Sequence, residues 1–195
     1  QQFTITKINA LDNAEPANIG SNFWGNIRGV GSDYNLGLSG DNVLIRYPNA
    51  GYRQIWRFIR FSDGSYEITN LYTGKSLDCA AGKGTAGTNV STYLSNNTNA
   101  QRWYIFKVDG NYVFVPKCTT ECALTVKDGG TASGTNVELA KYSASSTAHQ
   151  FKVIKLTKSE SEKDLAISEI CQTPTNGAYE FMEIINTSDK AVNLN

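Results

Sequence analysis

One stretch of this chain is written three times. "GTAGTNVSTYLSNNTNAQRW", residues 84–103, returns in altered form as "GTASGTNVELAKYSASSTAHQF", residues 130–151. The pattern also runs backwards: "YRQIWRFIR" (52–60) aligns with "NAQRWYIFK" (99–107) and "TAHQFKVIK" (147–155). Val43, Val90 and Val137 recur at a constant interval of 47, and Gln54 and Gln101 keep that interval. In the third copy His149 takes the glutamine position, and Phe151 takes the place of Trp56 and Trp103. Each copy is too short to bury an apolar face of its own. Three copies over residues 17–156 must therefore pack around an axis and share one core.

The local pattern inside each copy is strand-like. Short alternating runs dominate: "FTITKI", "NVLIRY", "IWRFIRF", "SYEITNLY", "RWYIFKV", "NYVFVPK", "NVELAKY" and "QFKVIKL". Gly, Asn, Asp and Ser clusters such as "SDGS" (62–65) and "VDGN" (108–111) separate them. Long runs with helical spacing are nearly absent, so the fold class is all-β, a barrel or sandwich. "GT-N-V" enters a strand through a tight turn, a place where glycine supplies positive φ. The large ring at Trp56, Trp103 or Phe151 reads as a core plug, and the Gln two residues earlier as a buried amide tying a loop down.

Charge narrows the partners. The 195 residues carry no net charge, and only 18% are charged. That leaves no electrostatic footprint for nucleic acid, and no run approaches the ~18 apolar residues of a membrane span. The polar surface comes from Asn, Thr, Ser and Gly, a pattern common on secreted proteins.

The three copies resemble the ricin B-chain-type β-trefoil lectins, in which a Q-x-W signature marks each of three repeats. "QIW" (54–56) and "QRW" (101–103) match it, and "HQF" (149–151) departs at both ends. The resemblance implies a β-trefoil, a small closed barrel with hairpins capping one end. The wording of the repeats looks like versions common in large extracellular proteins of Gram-positive bacteria, which implies an extracellular or cell-surface location. In this family an Asp soon after the first strand accepts sugar hydroxyls, an aromatic on the later loop stacks on the sugar, and an Asn before the signature Gln completes the set. Carried over, the second repeat offers Asp78, Tyr93, Asn99 and Gln101, with Ala100 in the Asn slot itself. The third offers Thr125, Tyr142 and His149, with Ala140 in the aromatic slot. The first has Gly37 and Arg46 at the Asp and aromatic positions, and is expected to be inactive toward sugar. Gln54, Trp56, Trp103 and Phe151 are the structural signature. The implied partner is a glycan or polysaccharide of galactose or xylose type. Asp78 as a turn cap and Tyr93 as a plain strand tyrosine are the structural alternatives.

Beyond the repeats, "TKSESEKD" reads as a charged linker over 157–166. "AISEI" and "YEFMEIINTSDKAVNL", within 167–195, resemble the opening of a lamin-tail-type domain, an immunoglobulin-like β-sandwich. Only about thirty residues of it are present, so the expectation is a piece of a longer multidomain protein. Residues 1–16, with "FTITKI", are either the first barrel strand or the end of something preceding.

Cys79, Cys118, Cys122 and Cys171 allow three disulfide pairings, and Cys118 with Cys122 is the preferred one, closing a tight "CTTEC" loop. A zinc pair is discounted because no second ligand pair lies near it. No G-x-S-x-G, H-E-x-x-H or phosphate loop occurs, and no cofactor is implied. The acidic residues are read as lying in turns, the linker and the tail. The expectation is a non-catalytic binding module. The alternative is a degenerate trefoil kept as a structural or adhesion module, and a trefoil protease inhibitor has no candidate reactive loop.

Overall fold

The structure is a computed structural model. It describes residues 11, 15–119 and 121–156, and the backbone of two later strands, Leu165–Cys171 and Phe181–Asn186. The "FTITKI" segment and most of the charged linker lie outside the described residues.

Each repeat supplies four strands. The first gives β1 (Phe23–Gly29), β2 (Asn35–Ser39), β3 (Asn42–Arg46) and β4 (Trp56–Arg60). The second gives β5 (Tyr66–Asn70), β6 (Ser76–Cys79), β7 (Val90–Tyr93) and β8 (Trp103–Val108). The third gives β9 (Asn111–Pro116), β10 (Cys122–Val126), β11 (Val137–Lys141) and β12 (Phe151–Lys155). The outer strands of the repeats pair antiparallel in a closed ring: β1 with β4, β4 with β5, β5 with β8, β8 with β9, β9 with β12, and β12 back to β1. Closure leaves this barrel no free edge. The inner strands form three hairpins, β2–β3, β6–β7 and β10–β11. This is the β-trefoil expected from the repeats.

The hairpins meet on the pseudo-three-fold axis. Asn42 pairs with Ser91, Leu44 with Asn136, and Asn89 with Glu138. At the centre three asparagines close a ring of side-chain hydrogen bonds. Asn89 Nδ2 donates to Asn42 Oδ1 at 2.8 Å, Asn42 Nδ2 to Asn136 Oδ1 at 2.9 Å, and Asn136 Nδ2 to Asn89 Oδ1 at 2.9 Å. An amide suits this position because it donates at one end and accepts at the other. These are the residues that precede Val43, Val90 and Val137, and all three valines are fully buried.

The core lies inside the barrel. Trp56, Trp103 and Phe151 have no exposed surface, as expected of the three plugs. Trp56 Nε1 donates to the Leu36 carbonyl at 3.1 Å, and Trp103 Nε1 to the Leu77 carbonyl at 3.0 Å. Phe151 lacks the donor and instead meets Phe114 edge-on, with ring centroids 5.8 Å apart. The two indole bonds fix how the repeats superpose: Leu36 answers to Leu77, and so Gly37 answers to Asp78.

Two expectations need correcting. Glu67 lies in β5 and Glu138 in β11, so the acidic residues are not confined to turns. Each is occupied, Glu67 by Ser76, Ser95 and Arg102, and Glu138 by Lys127. The pairing of Cys118 with Cys122 is also absent, since Cys79, Cys118 and Cys122 are all free thiols. Cys122 is drawn into the core at the start of β10, whereas Cys118 stays on the loop, its thiol directed at Cys79 and the Lys83 carbonyl.

The chain divides into two compact units, residues 1–156 and 157–195. The second contains β13 (Leu165–Cys171) and β14 (Phe181–Asn186), an antiparallel pair with a register shift between Ile167 and Glu169.

Candidate functional site

The second repeat builds an open cavity of about 700 Å³ beside its hairpin. One wall is Asp78, in β6 directly across from Ser91 of β7. Tyr93, which also lines the cavity, ends β7 with 59% of its surface exposed. Two successive left-handed residues, Ala81 (φ 56) and Gly82 (φ 70), swing the chain outward after β6 and make another side of the cavity. A single 3₁₀ turn, Asn99–Gln101, completes it, with Asn99 exposed on the cavity wall and Ala100 buried beneath. The buried slot holds alanine, so the polar amide one place earlier is the one that reaches the cavity.

Gln101 holds this loop in place. Its Oε1 accepts from the Asn96 amide at 2.9 Å, and its Nε2 donates to the Leu94 carbonyl at 3.0 Å. Gln54 repeats the same bonds in the first repeat, accepting from Asn49 N at 3.2 Å and donating to Tyr47 O at 2.8 Å. Gln101 is 1% exposed and does not line the cavity, so its place is behind the site. It acts on the site through Asp78. Burial pushes the Asp78 carboxyl up from its ordinary value, and a hydrogen bond from Gln101 partly offsets this by stabilising the carboxylate. Asp78 is 7% exposed, enough to present one edge to a ligand.

Asn96 and Thr98 also line this cavity, and the sequence reading did not single them out. Asn96 Oδ1 accepts from both the amide and the hydroxyl of Thr98, at 3.1 and 2.8 Å. The "NNT" stretch is locally an ordinary Asx turn, and only the fold brings it next to Asp78. Cys118, from the loop after β9, is the remaining wall. The lining therefore contains one carboxylate, one exposed aromatic ring and several amide and hydroxyl groups. It can accept hydroxyl protons at Asp78 and stack an apolar face on Tyr93. Glycoside hydrolysis would need a second carboxyl group facing the first, and none lines the cavity. Among the described residues no cluster of His, Cys, Asp and Glu could hold a metal ion.

The third repeat gathers Thr125, Tyr142 and His149, but turns them on one another. Thr125 Oγ1 lies 2.8 Å from His149 Nδ1 and donates its own proton to the Ala123 carbonyl at 2.8 Å, which makes Nδ1 the donor to Thr125. Tyr142 packs its ring edge-on to His149, with centroids 5.4 Å apart. Thr125 and His149 are 5% and 4% exposed, and burial lowers the histidine's affinity for a proton. His149 thus sits where Gln101 sits, at the end of a 3₁₀ turn, Thr147–His149, and bonds the residue at the Asp position as Gln101 does. In the first repeat Gly37 leaves no side chain at that position. A Cβ there would lie 3.0 Å from Gln54 Cγ and 3.4 Å from Arg46 Cδ.

Comparison with known proteins agrees with this fold. Residues 52–140 match the family model of the ricin-type beta-trefoil lectin domain-like proteins. No curated protein sequence matches the chain. Among solved structures, the designed three-fold symmetric protein ThreeFoil is 26% identical with a TM-score of 0.65, over 68% of this chain and 99% of that one. A ricin B-like lectin from Macrolepiota procera, solved with lactose, is 16% identical with a TM-score of 0.63, over 72% of this chain and all of that one. The same fold forms part of 1,3Gal43A, an exo-β-1,3-galactanase from Clostridium thermocellum, where the match is 18% identical with a TM-score of 0.63, over 69% of this chain and 30% of the enzyme. Residues 52–140 thus match a ricin-type β-trefoil lectin-like domain, and they lie within a three-fold frame that runs from β1 to β12.

Proposed function

We propose that residues 17–156 are a non-catalytic carbohydrate-binding module that takes a galactose- or xylose-type sugar in the second repeat. One observation carries the reading: Asp78, Tyr93 and Asn99 line a single open cavity. Asp78 accepts two sugar hydroxyls, Tyr93 stacks on the ring's C–H face, and the amides of Asn96 and Asn99 complete the polar contacts. Gln101 is a positioning residue. The lactose in the Macrolepiota procera lectin is consistent with a galactose-type ligand. A single shallow site of this kind binds on the order of millimolar, about 4 kcal/mol, so useful retention comes from several sites acting together. We assign the module to the outside of a cell.

The test is a glycan array and polysaccharide pull-down with the chain displayed multivalently, comparing wild type with Asp78→Ala and Tyr93→Ala. Binding that both substitutions abolish while the circular dichroism spectrum stays unchanged supports the reading. Failure of the displayed wild type to bind any neutral glycan would overturn it and leave the trefoil as a structural or adhesion scaffold.

A further inference from the structure

The first repeat lacks the carboxylate and the aromatic ring of the second, yet it keeps a cavity of about 500 Å³ in the corresponding place. Its character is inverted. Arg46, at the end of β3, stands where Tyr93 ends β7, and Gly37 stands where Asp78 does. The two changes are coupled: the Arg46 stem packs over Gly37, 3.4 Å from where a Cβ would be, in space that a carboxylate side chain would need. Arg53 adds a second guanidinium to the same cavity, lying 4.0 Å over the centroid of Tyr72.

No carboxylate lines this cavity. Asp41, just beyond it, has both oxygens engaged by Lys75 at 2.8 Å. Among the described residues neither Arg46 nor Arg53 has an ion-pair partner, and Arg46 Nε is buried with no hydrogen-bond acceptor. An unmatched buried donor on a charged group is costly, and two cationic residues lining one cavity with no carboxylate in it favour a negative ligand there. The rest of the lining suits a sugar: Tyr52 is 65% exposed and offers a flat face, and Asn49 lines the same cavity.

We propose that the first-repeat cavity is a second saccharide site, specific for an anionic sugar, with the acidic group held by Arg46 and Arg53 and the ring against Tyr52. The guanidinium fork matches a carboxylate or a sulfate with paired hydrogen bonds. The chemistry shared by uronic-acid and sulfated sugars is therefore what the cavity selects. Nothing in this inference depends on the second repeat, whose cavity is lined by the opposite charge.

The experiment passes the full chain over immobilised hyaluronan oligosaccharides, dextran sulfate and neutral dextran, at low and physiological salt. Wild type is compared with Arg46→Gln, Arg53→Gln and Asp78→Ala. The expected result is retention on one or both acidic polymers but not on neutral dextran, weakened about tenfold or more by either arginine substitution and unchanged by Asp78→Ala. Retention on hyaluronan alone identifies a carboxylate ligand, and on dextran sulfate alone a sulfate. Arg53 does not pack on Gly37, so Arg53→Gln remains informative if Arg46→Gln folds poorly. Equal retention of wild type and both arginine variants would overturn the proposal, as would equal retention on neutral dextran. Because Asp78→Ala leaves this site intact, its failure and that of the second-repeat reading are told apart.

Discussion

The asparagine ring on the axis makes a prediction that ordinary hydrogen-bond counting does not. Three residues share three bonds, at 2.8, 2.9 and 2.9 Å, and each residue takes part in two of them. Replacing Asn89 by Ala removes its own bond to Asn42 and the bond it receives from Asn136. At about 1 kcal/mol net per bond, the single substitution costs about 2 kcal/mol. A second substitution, Asn136→Ala, removes only the one bond that remains, so the double variant costs about 3 kcal/mol. The third, Asn42→Ala, removes none. The expected series is therefore about 2, 3 and 3 kcal/mol, not 2, 4 and 6, and the three single variants cost nearly the same. Urea denaturation followed by tryptophan fluorescence reads it directly, since Trp56 and Trp103 are fully buried plugs. In thermal melts each kcal/mol lowers Tm by about 2–4 °C for a domain of this size. The three side chains are part-buried, so water can rescue some orphaned groups, but rescue shrinks all steps together and keeps the saturation. Additive losses, or one single variant far more costly than the other two, would refute the closed ring.

Four further outcomes follow from the site and its surroundings. Asp78→Asn should abolish sugar binding yet leave the melting temperature at pH 7 equal or higher. The folded carboxyl is raised by burial, so between the unfolded value, near 4, and the folded one the native state holds more protons, and above that window the ionised group costs stability. For the same reason wild-type binding should fade on acidification at a pH above the ordinary carboxylate value, which a pull-down titrated in pH measures. The bond from Cys79 favours the Cys118 thiolate, whereas that same bond and burial push the Cys79 thiol far up. Peptide mass spectrometry after brief iodoacetamide treatment should find Cys118 alkylated first, and because Cys118 lines the Asp78 cavity, that adduct should block sugar retention. Gly84→Ala would place a Cβ 2.1 Å from the Cys118 carbonyl oxygen, a backbone atom that cannot swing aside, and should cost about 1–3 kcal/mol in denaturation.

What could be read in the sequence followed from periodicity. The 47-residue interval, the plugs and the signature glutamines were legible because each repeats in register and performs the same task three times. Three of the strands missing from the alternating runs tell the opposite story. β2, β6 and β10 read "NLGLS", "SLDC" and "CALTV", and they are buried on both faces almost throughout. A strand buried on both faces has no polar alternation to announce it. The asparagines before the valines were in plain sight within "GT-N-V", but their bonds span 47 and 94 residues, and only the closed barrel brings them together. Asn96 and Thr98 escaped for a similar reason, because a turn sequence does not say what it faces. The Cys118–Cys122 pairing was judged from chain separation alone, whereas the direction of β10 into the core sets the two thiols apart.

The structural residues are shared among the repeats and the cavity residues are not, and the architecture explains why they can differ. The frame is held from two sides: by the asparagine ring at the axis, and by the plug with its indole bond and the loop-tying Gln or His behind. In the second repeat none of these groups lines the Asp78 cavity. The position after Leu36 or Leu77 and the last residues of β3 or β7 therefore vary without loosening the barrel. In the second repeat that freedom gives Asp78 and Tyr93, and in the third it gives a Thr125–His149 bond sealed by Tyr142. In the first it gives Gly37 with Arg46 across it. Because Gln54 keeps the loop bonds that Gln101 makes, the first-repeat cavity is held as firmly as the second, and its two unpaired arginines stand in a formed site. Substituting Arg46 and Gly37 singly should therefore be worse than exchanging them together. Gly37→Asp alone drives a side chain into the Arg46 stem, whereas Gly37→Asp with Arg46→Tyr recreates the second-repeat pair on an intact loop. If the double variant gains binding to the neutral sugar that the second repeat takes, measured in an Asp78→Ala background, the cavity residues are interchangeable parts on a common frame. If it folds and gains none, the loop residues Thr98 and Asn99, where the first repeat has Gly51 and Tyr52, are part of what selects the sugar.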